Sequence, residues 1–454
     1  MRATRDRPDV NGEVASYAYG STSVMPRVGE WLASAAPWFL ALYLLVPPLF
    51  KAALQPLVPI DITILLAIPT ALIGVSWMAI NRSRLHRHQL HAAGLWVALA
   101  ALVILGVAWA PDRDIAVRSA AYFVLLAGLP LLAAFPVAAD PERLRQFLLA
   151  FFGAGAVLVA IGTIALFTGD LGGRELIGAN RLSVARALLL VPLIGMPVLA
   201  WKRPFGWGTW MVILVSSVAL FVGLATSSRA ALIFALLLGM AMAVGSIVLS
   251  PRRREVLTRA AALAGCTAIV FVAMSGLLPQ HSPARFGLLI DAVAQIIGGD
   301  GGSVDGEVPG ETPAVDPGID EGDAVGGESV AVRVALFGRA WEAFVDQPLV
   351  GVGTGGFEIV MATPDIEGDD YPHNLVLHVA SDFGVLGLAM LGLFGAMTLV
   401  RWRPDSNIAV ALGVTVAFLL LNAMVSNGIY ENRMLWGTWL VLLARPPIPT
   451  PVQR

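Results

Sequence analysis

Apolar runs of about transmembrane length recur along the chain, separated by short polar stretches. They fall near residues 32–50, 62–80, 93–110, 116–137, 145–168, 182–200, 207–224, 230–249, 260–278, 374–400, 408–427 and 434–444. A run near 20 apolar residues is long enough, as a helix, to cross a hydrocarbon layer of about 30 Å. In lipid, only helices and closed barrels satisfy their own backbone hydrogen bonds, and runs this long and continuous favour helices. The pattern therefore predicts an all-α integral membrane protein with about 12 transmembrane helices.

One interruption is long. Residues 279–372 separate the ninth run from the tenth, and within them 298–329 carries nine carboxylates, no basic residue and many Gly and Pro. Such a segment cannot bury enough apolar surface to fold alone and reads as a disordered acidic insert. On either side, "RFGLLIDAVAQII" and "VAVRVALFGRAWEAFVDQPL" show helical apolar spacing broken by polar residues. They predict amphipathic helices lying on the membrane surface or over a cavity. The expected organisation is a polar tail at 1–30, spans one to nine over 31–278, this loop, spans ten to twelve over 373–445, and a short tail at 446–454.

Composition agrees, with 57% hydrophobic and 14% charged residues among 454. A net charge of -2 gives no reason to expect nucleic acid. The one cysteine, Cys266, can form no internal disulfide and is too isolated for a thiolate metal site. Basic residues then orient the chain. "NRSRLHRH", "PERLR", "WKRP", "SPRRREVLTR" and "RWRP" fall in alternate loops, which the positive-inside bias places in the cytoplasm together with both termini. The long loop then faces the periplasm or its equivalent.

Arginines on the other side are the informative ones, since that bias does not demand them. They include Arg174, Arg181, Arg186, Arg229, Arg333 and Arg433. A charge facing lipid at the depth of Arg186 or Arg229 costs about 2.5–3.5 kcal/mol on insertion scales, so both should face the bundle interior or a wet cavity. Several guanidiniums converging there would bind a multiply charged anion such as a lipid pyrophosphate, each offering a planar fork of donors. A second polar group stands in "YPHNLVLHVASDFGVLG". His373 at the membrane boundary could take a proton from an attacking hydroxyl near neutral pH. Asn374 could cap the helix or hold a sugar hydroxyl. In a continuous helix Asp382 lies about 180° around from His373 and roughly 13 Å deeper, so it should not be that histidine's partner. Arginine or backbone donors should hold it in a structural pair, and His378 reads as a packing or supporting group. Gly384, Gly387 and Gly395 share one side of that helix, where small residues would let a neighbour approach closely.

"HNLVLHVASDFGVLG" resembles the signature of the O-antigen ligase and polymerase superfamily: a histidine and an asparagine, nine residues, a glycine, two residues and a glycine. These are His373, Asn374, Gly384 and Gly387. "VRVALFGRAWEAFVDQPLVGVGTGGFE" is similar to the family's arginine, amphipathic helix, proline and glycine-rich turn, with Arg333, Pro348, Gly351, Gly353 and Phe357 at those positions. "TSSRAALIFALLLG" resembles its serine-arginine start of a span and carries Arg229; "GANRLSVARALLL" resembles its asparagine-containing segment. Relatives usually have tryptophan four residues after the loop arginine, whereas Phe337 stands there and Trp341 follows a turn later. Arg339 stays an alternative to Arg333, and either Arg181 or Arg186 can take the family's position.

The resemblance implies a GT-C-type, metal-independent, inverting glycosyltransferase without cofactor. Its donor would be an undecaprenyl-pyrophosphate-linked glycan, and its acceptor a glycan or lipid A-core hydroxyl. His373 would be the catalytic residue. Arg229, Arg333, Arg181 and Arg186 would hold the pyrophosphate, with Asn374, Arg339 and Asp382 on the acceptor side or supporting the site. Ligase, repeat-unit polymerase and protein glycosyltransferase share this donor chemistry. A transporter or flippase is the alternative from another class, although the halves show no convincing internal repeat.

Overall fold

The computed structural model describes residues 24–168, 175–176, 179–200, 205–225, 229–249, 253–277, 321–360, 371–426, 428–430 and 432–446. Fourteen helices organise them. The first nine are α1 (Val24–Leu54), α2 (Ile62–Asn81), α3 (Arg87–Gly106), α4 (Arg113–Ala138), α5 (Pro141–Thr168), α6 (Arg181–Gly195), α7 (Trp207–Ala225), α8 (Arg229–Leu249) and α9 (Arg253–Leu277). After the long loop come α10 (Glu321–Asp346), α11 (Gly356–Val360), α12 (Leu375–Arg401), α13 (Asn407–Ala423) and α14 (Arg433–Ala444). The one sheet among the described residues is a two-residue hairpin, Glu175–Leu176 with Ala179–Asn180, just before α6.

Ten of these helices are long and apolar enough to cross a membrane, and the last is α12. α13 and α14 fall where the sequence predicts spans eleven and twelve, but have only 17 and 12 residues. Between them, residues 424–426, 428–430 and 432 supply site residues instead of helix. Several helix starts are set by side-chain caps. Asp112 accepts from the amides of Asp114 and Ile115 at α4, and Ser406 accepts from Ala409 at α13. α4 is not regular throughout: a wide turn over Phe123–Gly128 precedes Pro130, whose ring cannot continue an α-helical ladder.

Lipid tails are as apolar as the side chains, so helices in a bilayer are held by close packing and hydrogen bonds more than by expulsion from water. An aromatic cluster shows both. Trp96, Phe123, Phe394, Trp436 and Trp439 pack ring to ring. The indole N–H groups of Trp96, Trp436 and Trp439 donate to the Gly128 carbonyl, the Ile429 carbonyl and the Thr398 hydroxyl. This cluster ties α3, α4, α12 and α14 together.

The charged clusters collect at one end of the bundle. Arg401 at the end of α12 donates to the His88 carbonyl (2.9 Å) and meets the His91 ring (2.8 Å), and Arg445 pairs with Asp405. Loops α2–α3 and α12–α13 and the end of α14 therefore share this basic end. The opposite end gathers the C-terminus of α3 and the N-termini of α4, α12 and α14.

Two expectations fall partly outside the described residues. The first amphipathic segment and residues 298–320 of the acidic insert lie there, as do residues 1–23; the last part of the insert, from Glu321, opens α10 as helix. A third expectation is corrected. α12 is not continuous, because Gly384 adopts φ 59°, ψ -150° and divides it. Wheel angles computed through Gly384 do not hold beyond it. Gly395 admits no close neighbour either, since a Cβ there would meet nothing within 4 Å.

Candidate functional site

The break in α12 leaves backbone groups on both sides of Gly384 without helical partners. The turn after α10 fills it. Val352 and Gly353 N–H donate to the carbonyls of Ser381 and Asp382 (2.8 and 2.9 Å), and Val385 N–H donates to the Pro348 carbonyl (2.7 Å). Backbone lies directly on backbone here. A Cβ on Gly351 would come within 2.4 Å of the Asp382 carbonyl carbon, and one on Gly384 within 2.5 Å of Leu349. Gly351, Gly353, Gly355 and Gly384 all have positive φ, so neither the space nor the conformation suits another residue. Thr354, fully buried, completes the seat by donating to the Val103 carbonyl of α3 (2.5 Å).

Asp382 holds the far side of this turn. Its carboxylate is fully buried and accepts from the amides of Gly355 (3.2 Å) and Phe357 (3.1 Å) and from the Tyr430 hydroxyl (2.7 Å). His378, one turn earlier, has Nε2 3.4 Å from the same carboxylate, while its Nδ1 accepts from the Ile429 amide (3.3 Å). With Nδ1 accepting, the ring proton sits on Nε2 and faces Asp382. Burial first, and then the neighbouring carboxylate, push the Tyr430 phenol well above its usual range, so it remains a donor to Asp382. The expected backbone donors are present, and tyrosine and histidine stand where an arginine was the other expectation.

His373 and Asn374 lie at the start of α12. Asn374 is the N-cap: its side-chain oxygen accepts from the Leu377 amide (3.0 Å), and its Nδ2 donates to the Met424 carbonyl (3.0 Å). Capping, the first of the two roles the sequence offers for it, is the one the structure shows. His373 has φ +49°, the one positive value outside glycine among the described residues, and its half-buried ring lies 4.5 Å from that of Tyr371. Sparsely populated backbone of this kind persists where surroundings over-determine it, and it concentrates at active sites.

Arg186 reaches the same place from α6. It is buried, and its guanidinium donates to the Ser426 hydroxyl, which in turn donates to the Asn422 carbonyl (3.0 Å). Residues 422–430 thus meet Arg186 through Ser426, Asn374 through Met424, His378 through Ile429 and Asp382 through Tyr430. This segment joins Arg186 to Asn374, the residue next to His373.

The other predicted arginines are placed less fully. Arg333 is half-buried on α10 and shares a helical face with Leu336 and Ala340, which pack with Phe357 and Leu377. Arg339 is exposed and lies about 120° around α10 from Arg333. Arg181 and Arg229 are the first residues of α6 and α8, and their side chains lie outside the described residues. Arg433, at the start of α14, donates to the Tyr43 hydroxyl (3.3 Å) and lies over the Tyr43 and Tyr122 rings.

The motif reading did not single out Thr354, Ser426 or Tyr430. A signal for the last two was present in "SNGIYENR", an unusually polar turn between two apolar runs.

Fold and site together define a multi-pass membrane protein with a polar, arginine-bearing site at one end of its bundle. Residues 214–392 match the family model described as O-antigen ligase, from α7 through the break in α12. Over that segment, which carries His373, Asn374, Asp382, Arg229 and Arg333, the chain is similar to O-antigen ligases. Arg181, Arg186 and Tyr430 fall outside the matched residues. No curated protein matches the chain.

Proposed function

We propose that the chain transfers a glycan from an undecaprenyl-pyrophosphate donor to an acceptor hydroxyl at the periplasmic face of the inner membrane, as an O-antigen ligase does. The observation that carries this reading is the shared 422–430 segment. Through it a buried guanidinium, Arg186, is joined to Asn374, the cap that follows the strained His373 in the chain.

In this reading His373 takes the proton of the acceptor hydroxyl as its oxygen attacks the anomeric carbon. The bond from that carbon to the pyrophosphate oxygen breaks with inversion, and the departing charge is met by Arg186 or Arg181, Arg229 and Arg333. Guanidiniums remain charged at any relevant pH, so they can do without a divalent cation what such a cation does for other transferases. The opposite, basic end of the bundle supports cytoplasmic termini and an outward site.

A repeat-unit polymerase would use the same donor chemistry with a growing glycan as acceptor. A transporter fits less well. Broken helices in transporters line a substrate cavity, whereas the break at Gly384 is filled by backbone.

The test is His373→Ala, assayed for glycan transfer in membranes with insertion checked by fluorescence size-exclusion. Transfer should fall at least ~100-fold while lipid-linked glycan accumulates on the outer leaflet. Full activity would sink the assignment, and glycan retained on the inner leaflet would point to a carrier. Product on lipid A-core rather than on longer glycan chains would separate ligase from polymerase.

A further inference from the structure

At the basic end, away from His373, a cavity of about 1110 Å³ opens between α8 and α9 on one side and α12 and α13 on the other. It exceeds the few hundred to roughly 1,000 Å³ of ordinary small-molecule sites. Its walls are amphipathic along their length. Glu255, Arg259, Trp402, Asp405, Ser406 and Asn407 form the end nearest the helix termini, while Leu238, Gly395, Val416, Ala417 and Leu420 line the depth. Leu238 lies eleven residues before the end of α8 and Leu420 thirteen after the start of α13, roughly 16 and 20 Å at 1.5 Å per residue. That depth is about one leaflet of a hydrocarbon core.

The surrounding surface is apolar as well. Leu237, Met240 and Val244 on α8 and Leu399 and Val400 on α12 are exposed beside the cavity, so its flank faces membrane rather than water. The charges at its mouth sort by sign. Both carboxylates have arginine partners, Glu255 with Arg259 (3.4 Å) and Asp405 with Arg445 (2.5 Å). Arg253, Arg254 and Arg403 are exposed at the same end. The mouth therefore presents an excess of positive charge above an apolar shaft one leaflet deep.

We infer that this cavity holds an anionic phospholipid of the basic-end leaflet, its acyl chains between α8 and α13 and its phosphate toward the arginines of α9. Basic clusters at membrane surfaces and between helices select anionic headgroups. Gly395 fits this role: the small residue that admits no helix forms cavity wall instead. The site is separate from glycan transfer and stands whether or not that reading does.

Native mass spectrometry of the full chain, delipidated in detergent and titrated with phosphatidylglycerol or phosphatidylcholine, tests it. One phosphatidylglycerol should be retained per chain, with roughly tenfold preference over phosphatidylcholine, as one or two surface arginines would give. Ala241→Trp, which puts a bulky ring into the shaft from the α8 wall, should remove the retained lipid. Arg253→Gln with Arg254→Gln, both exposed, should keep a lipid but lose the preference. Equal retention of the two lipids by the natural chain overturns the proposal, as does retention unchanged in a monodisperse Ala241→Trp protein. Occupancy of the cavity by the chain's own residues 447–454, seen as lipid binding only after their deletion, would also overturn it.

Discussion

Glycine content is high throughout this chain, yet individual glycines do opposite things. Gly351 and Gly384 combine positive φ with backbone contact, so alanine at either meets left-handed strain of about 1–2 kcal/mol and a clash that only backbone movement relieves. Gly395 sits in ordinary helix with open space around it. Gly351→Ala and Gly384→Ala should each abolish or sharply reduce the yield of monodisperse protein, whereas Gly395→Ala should express normally and raise the melting temperature slightly, because alanine favours helix by up to ~1 kcal/mol. Fluorescence size-exclusion and a thermal ramp distinguish the three. The motif spacing exposed Gly384 and Gly387 as a pair, but a helical wheel assigned them the same job as Gly395. What separates Gly384 from Gly395 is the seated turn at 348–353, which lies more than thirty residues away and has no local signature, whereas Gly387 packs against Val379 and Phe383 of its own helix. His373 and Asn374 were legible as a pair for a different reason: a cap and the residue before it are neighbours in sequence, so the motif carries their geometry directly.

At the scale of elements, the site depends on how the α10–α11 turn, the broken α12 and the 422–430 segment are joined. Asp382 is the junction, accepting from the first and third while belonging to the second. Removing it would strand the Phe357 amide, the Tyr430 hydroxyl and the His378 N–H, and leave the Gly355 amide only the phenol oxygen. Each buried donor left unpaired costs about 1–3 kcal/mol, so Asp382→Ala should fail to fold stably. Tyr430→Phe removes one donor to Asp382 and one acceptor for the Gly355 amide, while Asp382 retains its contacts with Gly355, Phe357 and His378. It should lower stability by about 1–3 kcal/mol, read as a thermal shift, with the protein still inserted. If Tyr430→Phe matched Asp382→Ala in severity, the phenol rather than the carboxylate would be the junction. Sequence reasoning recognised that Asp382 was not paired with His373 and that backbone donors could hold it. It could not supply Tyr430, because that contact spans 48 residues and depends on α13 ending where it does.

For the whole molecule, charge sorts the two ends. Arg401, His88, His91, Arg445 and Asp405 meet at one, and Arg186, Asn374, His378 and Asp382 are tied to the 422–430 segment at the other. This division was readable from the order of basic loops alone, since each crossing reverses direction and the clusters fall in alternate loops. The number of crossings was less so, because α13 and α14 are short apolar helices of 17 and 12 residues and length alone does not make them spans. Sidedness can be tested without activity. The chain has one cysteine, so a Cys266→Ser background permits single-site labelling by a membrane-impermeant maleimide added to spheroplasts. Arg113→Cys, exposed at the start of α4, should label in intact spheroplasts. Arg254→Cys and Arg403→Cys, exposed at the basic end, should label only after lysis. Arg113 and Arg403 lie on either side of the twelve-residue α14 and of α13 in the bundle, so their opposite labelling would also show that the end bearing His373 faces outward. Labelling of Arg403→Cys from outside would invert the molecule and place the proposed acceptor chemistry in the cytoplasm, where a periplasmic ligase could not operate.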